Sequence, residues 1–363
     1  MAKNLVICCD GTANEFATDH TNVVKLFRVL ENDPSRQVAF YHPGLGTMEA
    51  VGALTSVSRN VTKFLGLAFG YGLERDVCDA YAFLMQQFEP DDNLYMFGFS
   101  RGAYTVRAVA ALLHMYGLLP PGNEPLVPYA IRMMNATNRQ KSGAVFELAE
   151  DFRATFRGIA CKPHFVGVWD TVNSVGWIDN PLKLPYSANN PDITIGRHAV
   201  SIDERRAFFR TNLWRPDPPT ADSGPKDLKQ VWFPGVHCDV GGGYPEAQSG
   251  LSKFALEWMV REAVLAGLLV DRTRLDEVMG RTGTKFVKAD CDAFLHESLT
   301  LWWRPAEIVP KRHWSWQTQR EERRMNLGHK RTLPSNPLVH AAAFDRKGYR
   351  LPSRAIRVDT TPW

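Results

Sequence analysis

The sequence predicts an α/β fold, a mostly parallel sheet flanked by helices. Short apolar runs alternate with helical stretches through the N-terminal third, the order that right-handed crossovers between parallel strands produce. The run Leu94-Tyr95-Met96-Phe97 leads straight into Gly98-Phe99-Ser100-Arg101-Gly102, and apolar residues at Val106, Val109, Ala110 and Leu113 start a helix at once behind it. Strand, sharp turn and helix form the context that makes Gly-x-Ser-x-Gly a nucleophile elbow, and narrows the expectation to an α/β-hydrolase-like sheet with cap insertions. A Cβ at Gly98 or Gly102 would collide with the neighbouring strand or helix in so tight a turn. The helix start behind the serine aims unpaired N–H groups at any oxyanion formed there.

The elements follow in order. Residues 5–9 read as a buried strand ending in the turn Asp10-Gly11-Thr12, and residues 22–30 as a helix with Thr21 as N-cap. Residues 37–41 form a second strand, and Val77, Ala80, Tyr81 and Leu84 mark a helix over 73–88. Counting back two strands from the nucleophile places Asp10-Gly11-Thr12 at the oxyanion loop, so Gly11, Thr12 and the Arg101 N–H are the expected oxyanion donors; a plain turn is the competing reading. Residues 117–162 lack a clear strand and read as a cap insertion. Residues 165–169 are the next strand, ending in Asp170-Thr171. Proline-rich loops with a helix between them, over 201–210, make 178–228 a second insertion. Residues 231–236 run into His237-Cys238-Asp239-Val240-Gly241-Gly242-Gly243, residues 251–269 form an amphipathic helix, and 271–335 reads as a third insertion. One domain over 1–363 accounts for the pattern.

The 363 residues are 44% hydrophobic and 23% charged, enough for a large core and too little charge for disorder. Forty-three basic against 39 acidic residues give a net charge of +4, which argues against nucleic acid as a partner and allows peripheral contact with an anionic membrane. Six cysteines lack Cys-x-x-Cys spacing, and neighbours Cys8 and Cys9 on one strand point to opposite faces; free thiols in a reducing compartment are expected. No apolar run approaches the ~18–20 residues of a membrane span, and Met1-Ala2-Lys3-Asn4 leads into a strand without a leader. A cytoplasmic protein is expected, with any secretion signal-independent.

A serine hydroxyl attacks a carbonyl at neutral pH only with a base, usually a histidine held by a carboxylate. Asp170 and Asp239 both follow predicted strands, at the edge where a parallel sheet places its chemistry. Two assemblies keep the order serine, acid, histidine: Ser100–Asp239–His340 and Ser100–Asp170–His237. A metal held by His237, Asp239 and Asp10 would leave the serine elbow without a purpose, and neither a metal nor a cofactor is expected.

Several stretches together resemble the catalytic domain of the type VI secretion lipase effectors and their non-secreted relatives, an α/β-hydrolase family. They are Cys9-Asp10-Gly11-Thr12 with Thr21-Asn22-Val23, Gly44-Leu45-Gly46-Thr47, Gly98 to Ala103, Val168-Trp169-Asp170-Thr171-Val172, and Trp232 through Tyr244. The resemblance implies a serine lipase or phospholipase with Ser100 as nucleophile and Asp239 within the family's most recognisable motif. His340, in Val339-His340-Ala341, falls where the family has a histidine-containing segment. The expectation is a phospholipase or lipase working through an acyl-enzyme, with Ser100, Asp239 and His340 as triad and Asp170 and His237 as alternates. A small-ester carboxylesterase and a catalytically silent binding module are the rivals. Trp302, Trp303, Trp314 and Trp316 among basic residues are read either as a lipid-facing patch or as buried aromatics with a basic rim.

Overall fold

A computed structural model of the chain describes residues 2–11, 19–44, 68–137, 143–172, 176–177, 180–181, 184–207, 209–214, 224–283, 285–315, 320–351 and 353–360. Its frame is an eight-stranded sheet containing β1 (Asn4–Cys9), β2 (Gln37–His42), β3 (Asn93–Phe99), β4 (Pro163–Trp169), β7 (Ile195–Ser201), β8 (Asp227–Phe233), β11 (Leu338–His340) and β12 (Ile356–Val358). The spatial order is β12-β11-β8-β7-β4-β3-β1-β2, and every pairing in it is parallel. Two short hairpins lie outside the sheet, β5 (Gly176–Trp177) with β6 (Asn180–Pro181) and β9 (Lys311–Ser315) with β10 (Arg320–Arg324).

Strands covered on both faces should read as unbroken apolar runs, and β1 and β3 do. Leu5, Ile7 and Cys9 of β1 join Leu94 and Met96 of β3 on one face, under α2 (Ala68–Gln87), α3 (Arg101–Tyr116), α4 (Val127–Thr137) and α5 (Gly143–Thr155). Val6 and Cys8 join Tyr95, Phe97 and Phe99 on the other, under α1 (Asn22–Val29), α7 (Ser252–Leu265) and α8 (Arg272–Val278). Period-two alternation thus sends neighbouring cysteines into different cores. Thr21 caps α1 by accepting the Val24 N–H at 3.3 Å. The remaining short helices are α6 (His237–Gly241), α9 (Arg304–Glu307) and α10 (Ala341–Asp345).

Two expectations need correction. Part of the second expected insertion, 178–228, is the sheet strand β7, seated between β4 and β8. Arg197 and His198 interrupt its apolar pattern, yet both are buried. Glu262 and Asp227 neutralise Arg197 at 2.5 and 2.6 Å, and His198 accepts the Thr171 N–H. The helix expected over 201–210 is not present among the described residues. Glu204 draws the N–H groups of Arg205 and Arg206 onto its own carboxylate, at 3.0 and 2.9 Å, so they are satisfied without a helical turn. The first expected insertion, 117–162, holds α4 and α5, whose Ile131, Met134 and Phe152 pack into the core beneath α3.

Candidate active site

The chain runs β1, α1, β2, α2, β3, yet β3 returns to the far side of β1. The two crossovers therefore leave opposite faces, and a crevice opens where they part, at the carboxyl ends of β1 and β3. Asp10 and Ser100 stand there, each one residue past its strand. Ser100 has φ 58° and ψ −116°, a left-handed conformation costly for a residue with a side chain. The surroundings hold it: its N–H donates to the Trp169 carbonyl at 3.0 Å. The flanking glycines permit the turn, because a Cβ on Gly98 would lie 2.4 Å from the Gly102 carbonyl oxygen and one on Gly102 only 2.1 Å from that of Cys9.

Asp170 follows β4, next to β3, and is itself at positive φ, 41°. Its Oδ2 lies 2.5 Å from Nδ1 of His237, the first residue of α6 beyond β8. Its Oδ1 accepts the Ser201 N–H at 2.9 Å and a bond from Arg331 Nη1 at 2.5 Å, while Arg331 Nη2 reaches Oδ2 at 3.1 Å. Burial opposes ionisation of this carboxyl, but the Arg331 guanidinium and the His237 bond outweigh it and hold the pKa well below the usual range. An ionised carboxylate only accepts, so Nδ1 carries the proton and Nε2 keeps its lone pair. Burial pushes the His237 pKa down, against the pull of Asp170, and keeps the ring neutral. Phe99 and Phe209 pack on the imidazole with ring centroids 4.6 and 4.8 Å away, and the His237 N–H donates to buried Glu204 at 3.2 Å. Glu204 is gripped by Arg206 through two 2.9 Å bonds and has its pKa held at about 2 by that ion pair despite burial.

The other expected residues lie in separate settings. Asp239 does not meet His340. Its Oδ1 pairs with His296 Nδ1 at 2.6 Å, its Oδ2 accepts the Val236 and His296 N–H groups, and Tyr244 stacks on the His296 ring. His340 Nε2 lies 2.8 Å from Thr360 Oγ1, its Nδ1 accepts the Ala342 N–H, and its ring stacks on Phe233. Both nitrogens of His340 are thus occupied by partners that fix the last strands, which is the correction to the expected Asp239–His340 pairing. Asp10 takes the Gly11 N–H at 2.7 Å and the Thr21 and Tyr41 hydroxyls at 2.5 and 3.0 Å, while Thr12 lies outside the described residues. His237, Asp239 and Asp10, the metal set weighed above, each serve different partners. Arg101 opens α3, its buried guanidinium 3.7 Å from Asp76. Sequence reasoning missed Glu204 and Arg331, which carry no motif and reach their partners only through the fold, and did not pair His296 with Asp239.

A parallel sheet with helices on both faces and a serine elbow at its switch point defines an α/β-hydrolase-like protein. A family model described as the type VI secretion system phospholipase effector Tle1-like catalytic domain matches residues 3–262, and the chain belongs to that family. Among curated proteins it is similar to an uncharacterized protein of Saccharomyces cerevisiae, YEL023C, 38% identical over 228 residues; the match covers 60% of this chain and 33% of that protein. The chain thus spans about a third of the length of this relative. Among solved structures it is similar to an uncharacterized protein from Pseudomonas aeruginosa (TM-score 0.44, 20% identity, 74% of this chain and 46% of that one). It is also similar to the Tle1 effector bound to the VgrG spike of the type VI secretion system (TM-score 0.33, 19% identity, 69% and 53%). No helix among the described residues is long and apolar enough to cross a membrane.

Proposed function

We propose that the chain is a serine hydrolase that cleaves an acyl ester of a phospholipid through an acyl-enzyme, with Ser100, His237 and Asp170 as its triad. The observation that carries this reading is the 2.5 Å bond between His237 Nδ1 and Asp170 Oδ2, at the same sheet edge as the strained Ser100 elbow. His237 Nε2 takes the Ser100 proton as the hydroxyl attacks the carbonyl, then gives it to the departing alcohol; Asp170 orients the ring and stabilises the imidazolium. The Arg101 N–H at the start of α3 is one oxyanion donor. Family membership supports lipid as the substrate class. Exposed Leu301, Ile308, Met325 and Leu327, on the segment whose Trp303 meets Phe209 beside His237, suit contact with a lipid surface.

The test is covalent labelling by a fluorophosphonate probe, run with acyl release from phospholipid vesicles and from a short-chain ester. The wild type is expected to label and turn over, and Ser100→Ala to do neither while keeping its thermal transition. Turnover surviving in Ser100→Ala, or an unlabelled wild type, overturns the reading. Release from the short ester alone reassigns the substrate to small esters.

A further inference from the structure

Arg331 lies well beyond the family-matched residues 3–262, yet its side chain is only 7% exposed and reaches the His237–Asp170 pair. Nη1 and Nη2 bind one Asp170 oxygen each, at 2.5 and 3.1 Å. The rest of the guanidinium is spent on the same surroundings: Nη1 on Ser201 Oγ at 2.7 Å, Nε on the Phe209 carbonyl at 3.0 Å, and Nη2 on that carbonyl as well. One planar fork therefore ties together the ends of β4 and β7 and the residue whose ring packs on His237. A guanidinium matches a carboxylate in this two-pronged way, whereas an ammonium acts only as a point charge.

We propose that Arg331 is a positioning residue of the active site, which fixes the Asp170 carboxylate toward His237 Nδ1 and, by offsetting its charge, lowers the pH at which the imidazole becomes free to act as base. The inference rests on the triad reading above. Unopposed, the Asp170 charge would favour the imidazolium and leave His237 protonated at higher pH. The other charged or titratable groups facing the pair do not replace Arg331. Arg206 also lowers the His237 pKa, but its partner Glu204 raises it and neither touches Asp170; His198 lies beyond Thr171, and burial holds the Cys238 thiol up at about 12. The His198 imidazole is kept neutral, its pKa pushed down to about 3 by burial first and by Arg107 second.

The test uses the full chain, wild type against Arg331→Met and Arg331→Lys. One measurement is the pH profile of kcat/KM on a soluble p-nitrophenyl ester; the other is the His237 imidazole pKa followed by NMR. In Arg331→Met, kcat is expected to fall about 10- to 100-fold with KM little changed, and the acid limb and the imidazole pKa to rise together by about one unit. Arg331→Lys should restore the limb while recovering only part of kcat, because it returns the charge without the fork. An unmoved limb and imidazole pKa in Arg331→Met overturn the proposal, whatever happens to kcat. Should Arg331→Met fail to fold, Ser201→Ala, which removes one anchor of the guanidinium, is expected to show a smaller rise in the same pKa, and no rise overturns it. The NMR arm needs no turnover, so loss of the serine mechanism and loss of this inference remain distinguishable.

Discussion

His237 and His340 are both buried imidazoles, and their surroundings predict opposite consequences for removing them. His237 has its Nδ1 on Asp170, and under the proposed triad His237→Ala should lower kcat on an ester by on the order of 10⁴-fold or more, close to the loss in Ser100→Ala. His340 has Thr360 and the Ala342 N–H as partners, so His340→Gln should leave kcat little changed. Its signature is in stability. Burial pushes its pKa down to about 4 in the folded chain, while the unfolded chain takes the proton near the ordinary value of about 6.5. Between those two values the unfolded state binds a proton that the folded state refuses, so stability falls as pH drops from about 6.5 to 4, by on the order of 3 kcal/mol for this one group. Urea denaturation from pH 7 to pH 4 should show a shallower decline in His340→Gln than in the wild type. A kcat loss in His340→Gln matching that in His237→Ala would return His340 to the triad.

The elbow and the crossovers built on it are the elements on which the site depends. Gly102→Ala would set a methyl 2.1 Å from the Cys9 carbonyl oxygen and 2.5 Å from that of Asp10, both backbone atoms of β1 or its turn. Relief would require β1 and α3 to part, so thermal denaturation should show a loss beyond about 3 kcal/mol or no folded protein. Gly224→Ala, with nothing within 4 Å of the added carbon, should leave the transition almost unmoved. These elements were legible in the sequence because strands buried on both faces read as apolar runs and the turn between them demands glycine. β7 was not, since Arg197 and His198 look like surface residues until Glu262, Asp227 and Thr171 are brought against them. The same limit left the choice between the Asp170–His237 and Asp239–His340 pairings open. Asp170, Asp239, His237 and His340 all sit at strand ends or just past them, and only the register of β4, β7 and β8 decides which side chains meet.

At the scale of the whole molecule, the segment 301–327 combines exposed apolar side chains with a basic excess. Residues 301–327 carry three more basic than acidic side chains, against an excess of four for the entire chain. Within it the Glu307 carbonyl accepts the N–H groups of Asn326 and Leu327 at 3.1 and 3.2 Å, which brings the end of α9 beside the stretch that follows β10. Leu301, Ile308 and Leu327, between 58% and 72% exposed, stand there with exposed Arg304, Arg323 and Arg324. Apolar side chains ringed by arginines bind an anionic bilayer by two separable contributions, each inserted side chain supplying up to about 1.5–3 kcal/mol and each nearby cation about 1. The triple variant Leu301→Ser, Ile308→Ser, Leu327→Ser should therefore sediment with phosphatidylglycerol-containing vesicles about 10- to 100-fold more weakly, and hydrolyse a soluble short-chain ester as the wild type does. Added salt should weaken wild-type binding through the cationic contribution alone. Equal vesicle binding by the variant and the wild type would remove this face as the membrane contact and leave the triad untouched, because the three side chains lie outside the hydrogen bonds that join Asp170, His237 and Arg331.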